Sequence, residues 1–219
     1  MMKKRKRLII ITILLLMLAL AVGCNQGEPL ADEVVEELEE IASYMDRASE
    51  QLVAGNLELA LTYFEQAILY GEDLPLAWRG VGMIQFKQNQ FGDARIALET
   101  ALELGGEESA IIYNMLGVTA MRTSDFEAAI DFFDTGIVWF ELTLGRAGMS
   151  LSQLAQENEP RPLEEGLNIQ LIQSMMANRI LAHQSLANWE EARELASEYL
   201  QIFPDDTVMQ REYEFLQTR

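Results

Sequence analysis

Apolar residues after position 30 recur every three or four residues, and no stretch there alternates like a strand. Such a period is typical of amphipathic helices, so the pattern predicts an all-α fold. The first predicted helix covers residues 31–53, with an apolar face of Val34, Val35, Leu38, Ile41 and Met45. Its first turns are acidic, at Asp32, Glu33, Glu36 and Glu37. Because the helix dipole favours carboxylates at this end, we interpret them as a solvated helix start rather than a cation-binding arm.

Small residues repeat at a fixed spacing along the middle of the chain. They form three sets with internal spacings of 12 and 7 residues, and successive sets are shifted by 34 and 35 residues. The sets are Ala48, Ala60 and Ala67; Gly82, Ala94 and Ala101; and Gly117, Ala129 and Gly136. Two helices approach closely only where side chains are small, and hairpins that cannot bury their apolar faces alone must stack. This period therefore predicts an array of helical hairpins.

Larger side chains follow the same shifts. They form three families, which are Tyr44, Trp78 and Tyr113; Leu57, Phe91 and Phe126; and Phe64, Leu98 and Phe133. Such residues are suited to filling the gaps between successive hairpins. Gly71 and Gly105 are also 34 residues apart, and each follows a helical stretch. At both glycines we expect a left-handed C-terminal cap.

With these positions the chain resembles the tetratricopeptide repeat family, whose unit is a 34-residue helix–turn–helix. The resemblance implies a right-handed helical-hairpin solenoid of about four repeats with a C-terminal capping helix. It places three repeats in 41–143, at 41–74, 75–108 and 110–143, a fourth at 173–206, and the cap at 207–219. Residues 31–40 would extend the first repeat. The signature is fullest in the second repeat, at Trp78, Val81, Gly82, Phe91, Ala94, Leu98, Ala101 and Leu102.

The chain departs from the family pattern in three places. Arg47 stands where leucine is usual in repeat 1, and Arg179 and Ile180 replace leucine and glycine in repeat 4. Residues 144–172 break the period and contain the run Asn-Glu-Pro-Arg-Pro, whose composition indicates a loop between helical flanks. This segment is interpreted either as a lengthened, irregular helical connection between repeats or as a lid or partner-specific insertion.

The N-terminus has the pattern of an export signal. Basic residues at 3–7 precede an apolar run at 8–21, too short for a typical membrane-spanning helix, and the sequence continues Leu20-Ala21-Val22-Gly23-Cys24. This resembles the bacterial lipoprotein signal. The resemblance implies cleavage after residue 23, a diacylglyceryl group on Cys24, and residues 24–30 as a tether. The alternative is an uncleaved membrane anchor with a chance cysteine.

The amino-acid composition limits the kinds of functional site that this chain can contain. The formal net charge of −19 argues against nucleic-acid binding, because a polyanion would be repelled. The single cysteine, Cys24, excludes an intrachain disulfide and cysteine clusters that hold zinc or iron. The single histidine, His183, has no recognisable triad around it and is interpreted as a packing or surface residue. No phosphate-binding, dinucleotide or EF-hand motif occurs. We therefore expect no catalytic site, no cofactor and no metal.

A candidate site follows from the resemblance, because the first helix of each hairpin lines a concave groove in the family. Carried over to repeats 2 and 3, the inward positions are Arg79, Met83, Phe86, Lys87, Asn114, Val118, Met121 and Arg122. Repeat 1 would add Met45, Ser49 and Leu52. Lys87 and Arg122 occupy the same repeat position and would form a two-step basic ladder. The alternative is that these cations are merely solvated or paired with neighbouring acids.

Together these features predict a lipid-anchored, extracytoplasmic adaptor that binds a protein or peptide, carrying an acidic group, in its groove. We expect it at the outer face of a bacterial cell membrane, or at the outer membrane in a Gram-negative cell. The alternative class is a small-ligand or cell-wall-fragment binder, or a wall enzyme, that uses 144–172 as a lid. A deep pocket between that segment and repeat 3 would favour the alternative, and an open groove would favour the adaptor.

Overall fold

The computed structural model describes residues 29–106, 109–156 and 168–219, and over these ranges the chain forms ten α-helices and no β-strand. The helices are α1 (Pro29–Val53), α2 (Leu57–Tyr70), α3 (Pro75–Lys87), α4 (Phe91–Glu103), α5 (Ala110–Arg122), α6 (Phe126–Arg146), α7 (Leu151–Gln156), α8 (Ile169–Ser185), α9 (Trp189–Ile202) and α10 (Thr207–Leu216). The predicted all-α fold is confirmed. The predicted export signal, Cys24 and the loop at 158–162 lie outside the described residues.

The chain divides into two compact units, Met1–Glu40 and Ile41–Arg219. In the first unit, the described residues form the start of α1, where the side chains of Val34, Val35 and Leu38 are more than half exposed. This helix begins at Pro29, two residues before the predicted start. Proline suits the first turn because its missing N–H would have no partner there. None of the described helices has the length and apolar composition needed to span a bilayer.

In the second unit, helices that follow one another in sequence pack side by side. The hairpin pairs are α3 with α4, α5 with α6 and α8 with α9, while α2 on α3 and α4 on α5 join one hairpin to the next. The last helix, α10, packs on α9 and buries Met209 and Leu216. Each element thus buries its apolar face against its neighbours along the chain, which is the architecture of a helical-hairpin solenoid.

The nine small residues that define the period are all buried. A β-carbon added to Gly117 would lie 2.4 Å from the ring of Phe133, and one added to Gly82 would lie 2.7 Å from Leu98. These glycines therefore set how closely the two helices of a hairpin approach. The steric explanation of the spacing is confirmed at both positions.

The turn inside each described hairpin has one residue in the left-handed region. These residues are Gly55, Asn89, Ser124 and Ala187, with φ of 80°, 61°, 62° and 59°. Each lies two positions before the first residue of the next helix, and its N–H donates to the carbonyl three residues back. The position rather than the residue type is repeated, since only one of the four is glycine.

The two predicted glycine caps behave differently. Gly105 adopts the expected left-handed conformation, with φ of 77°. The expectation for Gly71 is wrong, because this residue is extended, with φ of −157° and ψ of 110°. The connection that reverses the chain after α2 therefore does not use a left-handed residue at Gly71, and α3 begins with Pro75 at its first position. The added β-carbon of Gly71 would lie 3.2 Å from Ile41, so close packing is the constraint there.

The departures from the family pattern have local explanations. Arg47 is exposed, and its guanidinium lies 5.9 Å from the ring centroid of Tyr63. Arg179 is largely buried, and its Nη1 donates to Oδ1 of Asp134 at 2.6 Å. Ile180, which replaces the glycine of that repeat, is 1% exposed within the core of the C-terminal helices. A charged residue at the usual leucine position is thus either solvated or paired.

Candidate peptide-binding groove

The eight candidate groove residues lie on one face of α3 and the corresponding face of α5. On α3 they are Arg79, Met83, Phe86 and Lys87, and on α5 they are Asn114, Val118, Met121 and Arg122. Both sets have spacings of 4, 3 and 1 residues, so each forms a single stripe on its helix. Helices α3 and α5 contact each other, which places the two stripes on neighbouring helices.

The apolar members of the stripes are only partly buried. Met83 and Phe86 pack against the cluster of Leu98, Ile112, Tyr113, Met115 and Leu116. Val118 and Met121 pack against the cluster formed by the C-terminal helices. One side of each residue therefore supports the fold while the other remains open. The thioethers of the two methionines can adapt their shape to a guest, because the side chain is unbranched and flexible.

Asn114, the first residue of the α5 stripe, carries a buried hydrogen-bonding group without a partner in the described part of the chain. Its Oδ1 is buried and has no partner among the described residues. A buried amide oxygen without a donor costs stability, because it has lost its hydrogen bonds to water. After a half-turn of the amide the side chain would present its NH₂ group instead, so it can pair with either a peptide N–H or a peptide carbonyl.

The three cations of the site differ in their surroundings. Arg79 is partly buried and forms no ion pair with a described residue. Lys87 is exposed at the end of α3. The guanidinium of Arg122 lies 5.5 Å from the ring centroid of Phe91, which meets Phe86 edge-on at 5.8 Å. Arg122 is therefore held over an aromatic ring, an arrangement that the idea of a basic ladder did not include.

Further ionisable groups of the described residues pair with one another outside the groove. The hydrogen bonds from Arg95 to Asp125 and Glu99 raise the pKa of its guanidinium, and the bond to Arg95 lowers the pKa of Asp125. The second pair is Arg179 with Asp134. In the third, burial of Tyr199 raises the pKa of its phenol, and its hydrogen bond to Asp206 lowers the pKa of that carboxyl. Only the pair of Arg95 and Glu99 has a spacing, four residues on one helix, that the sequence could have revealed.

His183 lies beside an open depression of about 550 Å³ that is also lined by Trp189 and three glutamates. Burial lowers the pKa of its imidazole, and Nδ1 has no hydrogen-bond partner among the described residues. Across the described ranges, no three side chains of histidine, cysteine, aspartate or glutamate are grouped to hold a metal ion.

The comparisons with known proteins concern the fold. The family profile described as tetratricopeptide repeat matches residues 45–98 and 82–138. The crystal structure of MamA is 15% identical, with 81% of each chain covered and a TM-score of 0.61. MamA from Desulfovibrio magneticus RS-1 is 13% identical, with 82% of this chain and 85% of that chain covered and a TM-score of 0.58.

A third structure, PilF of Pseudomonas aeruginosa, is 13% identical, with 83% of this chain and 69% of that chain covered and a TM-score of 0.51. At such identities the likeness concerns the fold alone. No curated protein sequence gives a significant match. The profile match identifies tetratricopeptide repeats within residues 45–138, and the all-helical hairpin array of the described residues agrees with that assignment.

Proposed function

We propose that this protein is a lipid-anchored, extracytoplasmic adaptor that holds a protein or peptide partner against α3 and α5. Tetratricopeptide repeats are scaffolds that expose extended surfaces to partners, and no catalytic role is assigned to this chain. The anchor would be the diacylglyceryl group on Cys24, and the site of action would be the outer face of a bacterial membrane. The sequence pattern around Cys24 supports the anchor, and the matching stripes of apolar and basic residues on the neighbouring helices α3 and α5 support the adaptor.

The observation that carries the groove is the unpaired Oδ1 of Asn114, on the same face of α5 as the partly buried Val118 and Met121. A fold gains nothing from a buried acceptor without a donor, so its presence favours a partner that supplies one. An extended or helical peptide offers backbone groups for this amide and side chains that can pack against Met83 and Met121. The stripe is thus suited to a peptide rather than to a compact metabolite.

The cations favour an acidic group on the partner. Arg79 can bind a carboxylate with two parallel hydrogen bonds, while Lys87 acts as a mobile point charge. The chain as a whole carries a formal net charge of −19, so it repels acidic partners at long range. The local cations of this acidic protein therefore favour selective binding of an acidic group at short range rather than a high association rate. Screening by salt should weaken the long-range repulsion.

The groove is tested with Asn114→Ala, which separates binding from folding. Because the amide oxygen is unpaired in the free protein, we expect the free energy of unfolding to stay within about 0.5 kcal/mol of wild type or to rise. Binding should weaken about tenfold, equivalent to one lost hydrogen bond of ~1.4 kcal/mol. The measurements are urea unfolding and titration with the segment that crosslinks to the full chain in membranes.

Two variants serve as controls for that measurement. Asn56→Ala removes an exposed amide in the α1–α2 turn, and Arg211→Ala removes an exposed cation on α10; both should leave binding unchanged. Arg79→Ala/Arg122→Ala should weaken binding of an acidic segment while helicity stays intact. If the Asn114 and arginine variants bind as wild type does, the partner contacts another surface and the groove proposal fails.

The anchor is tested with Cys24→Ala. Two long acyl chains hold a protein on a bilayer stably, because each buried CH₂ contributes ~0.8 kcal/mol. We expect the wild-type protein to carry a diacylglyceryl mass and to partition into the detergent phase, and the variant to lose the mass and shift its partition. Wild-type protein without lipid by mass spectrometry would contradict the anchor and leave the groove untouched.

A further inference from the structure

Helix α6 is unusual among the second helices of the hairpins. It has 21 residues, whereas α2, α4 and α9 have 13 or 14. Near its C-terminal end Val138 is 54% exposed and Leu142 is 59% exposed. These residues line an open depression of about 450 Å³ together with Glu141, Gly145 and Arg146. The lengthened helix therefore carries an apolar stripe that no described residue covers.

The five residues form one continuous face of α6, because they are spaced at 3, 4, 7 and 8 residues from Val138. Gly145 leaves a gap in this face, since an added β-carbon would meet nothing within 4 Å. Glu141 and Arg146 form no ion pair with a described residue. The N-terminal part of the same face is acidic and exposed, at Glu127 and Asp131. The stripe thus holds an apolar centre, one acid and one base.

We propose that this stripe is the contact through which two copies of the chain associate, with their α6 helices antiparallel. In a two-fold pair centred between residues 143 and 144, Leu142 of one copy faces Gly145 of the other, and Glu141 faces Arg146. Both contacts occur twice, as a two-fold interface requires. A leucine side chain then fills the gap at each glycine, and both exposed charges acquire a partner.

The charges on α6 favour a second copy in this orientation. An antiparallel pair directs the acidic residues Glu127 and Asp131 away from each other, whereas a parallel pair would place them side by side. Two copies of the chain repel each other at long range, because each carries a net charge of −19. The exposed acid and base of α6 have matched spacing, so this surface is one place where two copies attract each other specifically. The stripe covers about two helical turns, less than a standard interface, so we expect weak and reversible association.

The test uses the full chain in detergent with a photocrosslinking amino acid at Val138. In the proposed register this side chain lies near residue 149 of the second copy, so wild type should give a dimer crosslinked to the segment that follows α6, between Arg146 and Leu151. Glu141→Arg alone and Arg146→Glu alone place like charges together, and each should lower the dimer yield about tenfold. The double variant Glu141→Arg/Arg146→Glu should restore the yield.

Mixing the two single variants gives the sharpest outcome. Every cross-contact between a Glu141→Arg chain and an Arg146→Glu chain is attractive, so mixed dimers should recover the yield that each variant loses alone. Leu142→Asp should also abolish the dimer, while Ile96→Asp, at a side chain 63% exposed on α4, should not. Circular dichroism confirms that each variant is folded. The proposal would be overturned if neither charge change altered the dimer yield, or if the crosslinks mapped to another helix.

Discussion

Gly117→Leu is expected to lower the free energy of unfolding by about 3 kcal/mol, at the upper end of overpacking costs. A β-carbon at this position already lies 2.4 Å from the ring of Phe133, and that ring is fully buried. The ring cannot move aside without displacing its own neighbours, so α5 and α6 must separate. The measurement is urea unfolding followed by circular dichroism, with the slope compared between variants.

A double-mutant cycle tests whether contact with the ring of Phe133 causes this loss of stability. Phe133→Leu removes the ring, so Gly117→Leu should cost less in that background, with a coupling of about 0.5–3 kcal/mol. Gly92→Ala is the matched control, because nothing lies within 4 Å of an added β-carbon in α4. It should be neutral or stabilise by up to ~1 kcal/mol through helix propensity. A Gly117 variant as stable as wild type would mean that the two helices do not approach as described.

Asp206→Ala is expected to destabilise the protein by about 2–4 kcal/mol. Its Oδ1 caps α10 by accepting from the N–H groups of Val208 and Met209, both at 3.0 Å, and its Oδ2 accepts from the hydroxyl of Tyr199 at 2.7 Å. Loss of the cap costs ~1 kcal/mol. The hydroxyl of Tyr199, on a side chain 1% exposed, is then left without this acceptor, which adds ~1–3 kcal/mol.

The same variant has a defined pH dependence. The hydrogen bond from Tyr199, and next that from the N–H of Met209, lower the pKa of Asp206 in the folded protein. A depressed folded pKa contributes stability above the unfolded value of about 3.9, and this contribution is lost as pH falls through the folded pKa. The stability difference between wild type and Asp206→Ala should therefore be constant near neutral pH and shrink below about pH 4.

Asp125→Ala is the matched control for Asp206→Ala. Asp125 also caps a helix, accepting from the N–H of Ala128 at 3.2 Å, but its second partner is the partly exposed Arg95 rather than a buried hydroxyl. The cost should be nearer to that of a cap alone, about 1 kcal/mol. Equal losses for the two variants would contradict the role given to Tyr199.

Steric rules made the hairpin array predictable from the sequence. A position such as Ala94 or Gly117 must be small wherever two helices touch, so its residue type reports the contact directly. Turn conformation is less visible, because Ser124 and Ala187 adopt left-handed backbones that their β-carbons disfavour. At these two residues the geometry of the hairpin turn outweighs the local backbone preference. A prediction based on glycine alone selects Gly71 instead, whose backbone is extended.

Side-chain partners far apart in sequence were not predictable. Arg179 and Asp134 are 45 residues apart, and they meet because the long helix α6 packs against α8. The stripes on α3 and α5 followed from the family resemblance, whereas the unpaired Oδ1 of Asn114 depends on how closely neighbouring side chains enclose it. The burial of this oxygen is set by three-dimensional packing, which cannot be read from the repeat period of the sequence.

The buried clusters follow one another along the chain and are unequal in size. Among the described residues, the cluster of α1–α4 has eight buried members, whereas the cluster of α5–α10 has twenty. Because each hairpin contacts mainly its sequence neighbours, local opening need not propagate through the whole array. We therefore expect the hairpins that contain α1–α4 to open before the hairpin that contains α5, because α5 contributes to the larger cluster. In the proposed groove, local opening of the first hairpins would then move the α3 stripe relative to the α5 stripe while the rest of the array stays folded.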